Sequence, residues 1–305
     1  MKYTKPPLSI AQQIQTLKDR GLIIEDEKRA SRYLSFISLY RLRAYTYTYQ
    51  NNTNPDHPFY PGITFDKVLQ TYLFDRKFRL LVFDAIERIE IALRTQIIYQ
   101  YSVKNGGNWY ENKKLYRKPY FFDRDLKLID KELKRSNEVF IKHYNKTYSN
   151  PKRPPAWMTM EIVSLGLLSK IYENLKISPE KKIIARKFNL GHPFVLESWM
   201  HSLSVIRNIC AHHGRLWNRE LPASMKLPKI TNDIWLENTN FPQGRMYLVL
   251  SSILFLLNTI IPRNHFKDKL KTLIAQYPDI PLRQMGFPDE WEKEQLWSNK
   301  QSHIL

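Results

Sequence analysis

Residues 74–97 read FDRKFRLLVFDAIERIEIALRTQI, and this stretch decides the fold. Phe74, Phe78, Leu81, Val82, Ala85, Ile86, Ile89 and Leu93 recur at three- and four-residue steps, the period of a helix with one core-facing stripe. The pattern predicts one long helix over 65–101. Glu87, Arg88, Glu90 and Arg94 are charges within it, and Glu90 and Arg94 stand one turn apart as a favourable pair. The other periodic segments are helical as well. Residues 9–20 and 26–38 predict two short helices, with Gly21 closing the first. Residues 161–175, 179–188, 194–215 and 264–276 predict four more, with Ser178 as the N-cap of the second of these. The chain therefore reads as all-α.

Loops separate these elements. NNTNPDHPFYPG (51–62) and the proline-rich SNPKRPPAW (149–157) break the periodicity, and 221–242 is irregular. The divisions that follow are an N-terminal helical segment at 1–62, a helical core at 63–262 with a basic insertion at 101–157, and a peripheral tail at 263–305. MYLVLSSILFLLNTII (246–261) is the most apolar run. It is shorter than the roughly 18–20 residues that span a bilayer, and Ser251, Ser252 and Asn258 interrupt it, so it predicts a buried bundle helix. The opening MKYTKPPLSIAQQ lacks the apolar core of a signal peptide, and the expected compartment is the cytoplasm.

The chain has 305 residues, 48 Lys+Arg against 29 Asp+Glu, and a net charge of +19. A polyanion is the economical partner for such a chain, whether nucleic acid or an anionic membrane surface. Residues 101–153 are the most basic part, with 14 Lys+Arg against 6 Asp+Glu and ten aromatic residues interleaved. Cations alternating with rings suit single-stranded RNA, the first for phosphates and the second for stacking on bases. Lys113, Lys114, Arg117, Lys118 and Arg153 are the candidate phosphate contacts there. The single cysteine, Cys210, excludes an intrachain disulfide and a cysteine-rich zinc site. No HxxxH spacing occurs to suggest a metal ligand set, so no metal or cofactor is expected.

Chemistry concentrates in SLSVIRNICAHHGRLWNR (202–219). On a helical wheel Trp199, Leu203, Ile206, Cys210, His213 and Trp217 form an apolar stripe. Ser204, Asn208, His212, Arg215 and Arg219 lie on the opposite arc. Asn208 and His212 are one turn apart and can act on one bound group, with Arg207 within reach to one side. Cleaving RNA by its own 2′-hydroxyl needs a base, an acid and a cation for the charge on phosphorus. Histidine serves as base or acid, and arginine presents paired donors to phosphate oxygens. Arg207, Asn208 and His212 are the candidate catalytic set. His213 reads as a core histidine, and it is also the only neighbour that would supply the acid step within one chain. A symmetric dimer would supply it from a second copy. Arg186 and His192 repeat the spacing loosely, but Gly191 and Pro193 bracket that histidine and make it a turn.

RNICAHHGRLWNR (207–219) resembles the hallmark segment of the AbiD/AbiF-type abortive-infection proteins, the Abi-2 family, a branch of the HEPN ribonuclease superfamily whose signature is R-x4-H. KPPLSIAQQIQTLKDRGLII (5–24), YLSFISLYRLRAY (33–45), residues 74–97 and GNWY (107–110) are similar to further family segments in the same order. The resemblance implies an HEPN-type helical bundle with one active site per chain and a homodimer. It also implies RNA as substrate and metal-independent cleavage in phage defence. Some relatives are restrained by a structured noncoding RNA, so a regulatory RNA is a further expected partner. The HEPN packing would bring residues 65–101 near the motif, with Arg88 or Arg94 supporting the RNA site beside Arg215 and Arg219. Two other readings remain open. One is a non-catalytic RNA-binding protein. The other is a DNA-binding regulator using 9–38 as a helix-turn-helix, although that pattern is expected of any packed helical pair.

Overall fold

Helical periodicity is met by twelve α-helices among the described residues, with no β-strand beyond isolated bridges. The structure, a computed structural model, describes residues 2, 6–222 and 225–298. Lys5 of the N-terminal opening, Ala223 and Ser224 of the irregular stretch, and 299–305 of the tail lie outside the described residues. Two compact units divide the chain: 1–79 with 272–280, and 80–271 with 281–305. The first unit reaches past residue 62 into the long helix α4 (Phe65–Asn105). Residues 272–280 go with the first unit.

In the first unit, α1 (Ile10–Asp19) starts at a reciprocal cap. Ser9 Oγ accepts from the Gln12 N–H, and the Gln12 side chain accepts from the Ser9 N–H. Asp26 caps α2 (Glu27–Ile37), and a further helix that periodicity did not signal, α3 (Leu39–Thr46), follows. Seven residues, 20–26, join α1 to α2, and Ile23 bridges to Thr64. That connection exceeds the 3–4-residue turn of a helix-turn-helix. The interior holds a buried polar triad: Tyr45 Oη donates to Asp75 Oδ2 at 2.6 Å, and Arg79 reaches both.

The second unit is built around α10 (Pro193–Ala211), which packs most extensively on α8 (Leu165–Asn174) and also on α9 (Pro179–Lys187) and α11 (Met246–Ile260). The insertion supplies α5 (Pro119–Arg135) and α6 (Val139–Thr147), so the basic stretch is helical. The run expected over 161–175 is two helices. α7 (Ala156–Ile162) ends where Val163 turns extended, and the Ser164 hydroxyl then caps α8 by accepting from the Leu167 N–H. α11 is buried from Met246 through Leu257, and no helix among the described residues is long and apolar enough to cross a membrane. α12 (Phe266–Ala275) precedes the irregular end of the chain.

Candidate active site

α10 begins at His192, whose Nδ1 accepts from the Phe194 N–H at 3.1 Å, with Pro193 in the first helical position. His192 is thus a capping turn, as its glycine and proline neighbours suggest. Trp199, Leu203, Ile206 and Cys210 are buried along the predicted stripe. Ser204 departs from the polar arc: it is buried, and its hydroxyl donates to the His201 carbonyl at 2.8 Å.

The helix stops four residues before the predicted end at 215. His212 is its C-cap, and the His213 N–H reaches the Cys210 carbonyl at 3.1 Å while the Gly214 N–H reaches the Ile209 carbonyl at 2.8 Å. That pair of bonds closes a Schellman end, in which the residue after the cap is usually glycine. Here it is His213, at φ 57, in the left-handed region that disfavours side chains. Gly214 beside it is closely packed, since a Cβ there would stand 3.3 Å from the Ile209 carbonyl oxygen. Leu216 and Trp217 are buried and pin the segment that follows.

This termination corrects the wheel. His213 is exposed rather than buried, because the chain has left the helix by the time it is reached. His212 and Asn208 are exposed as well, and no side-chain hydrogen bond engages His212 among the described residues. Arg207 is half-buried. Its Nε lies 3.8 Å from Glu90 Oε2, its guanidinium 5.9 Å from the Phe83 ring centre, and its Nη1 3.4 Å from Asn208 Oδ1. α4 therefore packs against the motif through Glu90 and Phe83. Sequence reasoning had paired Glu90 with Arg94 only; nothing in the one-turn spacing shows that a carboxylate serves a second arginine from another helix.

Arg94 is buried at 7% exposure, and its donors are occupied by Glu90 at 2.7 Å and by the carbonyls of Met160 and Val163. It braces α4 against the α7–α8 junction. Arg88 is paired with Asp84 on the surface at 2.8 Å. Arg219 Nη1 folds back on the Arg215 carbonyl at 3.1 Å, and both arginines are half-buried beside Gly214.

A family model described as Abi-like protein matches residues 32–218, more than half of the chain. The chain belongs to the Abi-like family. Searches of curated proteins and of solved structures each found no match. The match runs from α2 through the arginine–histidine motif, and so contains the segments at 33–45, 74–97 and 107–110. The opening at 5–24 lies outside it. Family membership points to abortive infection, a phage-defence role.

In this Abi-like protein the basic insertion is less available than its composition suggests. Arg153 is clamped between Glu111 and Asp130 at 2.6 Å each. Its hydrogen bond to Asp130 holds the guanidinium pKa well above the usual arginine value, and Asp130 is lowered in turn. Arg117 pairs with Glu197 of α10 at 3.2 Å, and Lys113 with Asp123 at 3.0 Å. Lys114 and Lys118 remain exposed, and the Lys118 ammonium sits 5.3 Å from the Phe121 ring. Arg153 is thus engaged by a carboxylate on each side.

Proposed function

We propose that the protein is an HEPN-type, metal-independent endoribonuclease that acts as an abortive-infection effector in the cytoplasm, with two copies forming the working unit. What supports this is the end of α10, where Arg207, Asn208, His212 and His213 sit on consecutive or adjacent turns with both imidazoles exposed. In this reading one imidazole takes the proton of the ribose 2′-hydroxyl. The 2′-oxygen attacks phosphorus, and the bond to the 5′-oxygen breaks as that oxygen receives a proton from a second imidazole, leaving a cyclic phosphate and a free hydroxyl. Arg207 faces the charge that develops on the phosphate oxygens, and Glu90 fixes its stem. Asn208, bonded to Arg207, orients the same phosphate.

His212→Ala is expected to reduce RNA cleavage by about 10²–10⁴-fold and to remove cellular toxicity. Because the side chain is exposed, thermal unfolding should not change. Arg207→Ala should match it, and EDTA should have no effect. Undiminished cleavage by His212→Ala protein would end the enzyme reading.

A further inference from the structure

Every arginine of the basic insertion is ion-paired among the described residues: Arg117, Arg124, Arg135 and Arg153. A different surface in the first unit sets cations beside exposed rings, although Arg29 there pairs with Asp66 at 2.8 Å. From Lys28 to Pro55 the chain has no carboxylate, five Lys+Arg and six aromatic residues. Phe36 and Tyr40 are 86% and 85% exposed, the two most exposed large apolar side chains among the described residues, and Tyr47 is exposed at 58%. Lys28, Arg32 and Phe36 follow one another at four-residue steps on α2, all exposed. Tyr40 and Arg43 on α3, with Tyr47 just past its end, again set rings beside a cation, also exposed. Residues so spaced are neighbours on a helix surface, so each row sets ring beside cation. Neither Arg32 nor Arg43 forms an ion pair among the described residues. The two rows meet at Ser38, a non-glycine residue at φ 67 whose hydroxyl caps α3 by accepting from the Arg41 N–H.

We infer that this face of α2 and α3 is a binding platform for unpaired RNA, separate from the cleavage site; this rests on RNA being the ligand. Exposed rings with no exposed aliphatic residue larger than Ala44 between positions 28 and 47 favour stacking on bases over general apolar burial. Bases held in a duplex cannot stack on protein rings, whereas those of a single strand can. The adjacent cations meet phosphates, and no carboxylate from this stretch opposes them.

The test uses His212→Ala protein, which leaves the RNA whole, and fluorescence anisotropy with a labelled single strand of about 12 nucleotides, within the range one platform covers. Adding Phe36→Ala and Tyr40→Ala is expected to weaken single-strand binding by at least about tenfold. Affinity for the matching duplex, and the thermal unfolding curve, should stay the same. Arg32→Gln with Arg43→Gln should lower the slope of log affinity against log salt by about 1.4, two phosphate contacts at roughly 0.7 each. If the parent binds single strands and the ring variants bind them equally well, the platform is wrong and the ribonuclease reading stands. If the parent binds no RNA, both fall. A ring variant that loses anionic vesicle binding or self-association, with RNA affinity intact, would assign the face to a membrane or to a second copy and overturn the inference.

Discussion

The end of α10 and the basic insertion at 101–153 handle their polar groups in opposite ways. At the end of α10 the imidazoles of His212 and His213 face solvent, and the backbone holds a left-handed histidine to keep them there. In the insertion five of the six carboxylates, Glu111, Asp123, Asp125, Asp130 and Glu132, meet cations of the same stretch. A charge count sees the second region first, yet each of its arginines is ion-paired among the described residues. Substitutions should therefore separate the two: in the insertion they should move stability, and at the helix end they should move activity.

The largest stability effect is expected where the two regions meet. Glu197 of α10, 5% exposed, is paired with Arg117 of the insertion and, at 2.6 Å, with Lys181 of α9, which is fully buried. Lys181→Met leaves a buried carboxylate with one half-exposed partner and should cost about 3 kcal/mol at pH 7. Adding Glu197→Leu should recover much of that loss, since a buried ion pair is often replaceable by apolar groups. Burial pushes the Lys181 pKa down to about 8, with Glu197 opposing the shift. Between that value and the ordinary lysine value near 10.4, the unfolded chain holds a proton that the folded chain has released. Stability should therefore gain with rising pH above about 8, and Lys181→Met should remove that gain. Urea titrations below about pH 10 avoid the opposing effect of buried tyrosines such as Tyr101, whose pKa is raised to about 12 by burial. Identical pH profiles for the two proteins would refute the role of Lys181.

A smaller loss, about 2 kcal/mol, is expected of Arg153→Ala, which strands Glu111 and Asp130 in a partly exposed clamp. RNA affinity at matched salt should change less than threefold. A large loss of affinity with intact stability would return Arg153 to the RNA-binding surface and erase the contrast.

Why one region was legible and the other was not follows from the range of the interactions involved. α4 and α10 show in the sequence because a helical stripe depends only on neighbours within a few positions, and both stripes are buried as read except at Leu81 and His213. The heavily charged α5 has a stripe that its ions obscure, α6 is short, and the α7–α8 break rests on one extended valine and one serine cap. The clamp on Arg153 joins residues 23 and 42 positions away, and the brace on Arg94 reaches 66 and 69 positions away. No local pattern records such pairings. At the motif the residue types were visible, but their directions were not. The signal was Gly214, whose place one residue after His213 marks a helix end that a continuous wheel ignores.

The smallest effect isolates that end. His213→Ala and His213→Gly both remove the imidazole and whatever it contacts, so their difference reports the backbone alone. At φ 57 alanine carries the steric penalty of the left-handed region and glycine does not. His213→Gly should therefore unfold about 1 kcal/mol harder than His213→Ala, read as a shift of the urea midpoint at constant slope. Cleavage then divides the two roles of the position. Equal loss in both variants means that the imidazole itself acts, as the acid step requires. Activity kept in glycine and lost in alanine would mean that His213 serves only to turn the chain after His212, and the second imidazole would have to come from another copy of the protein.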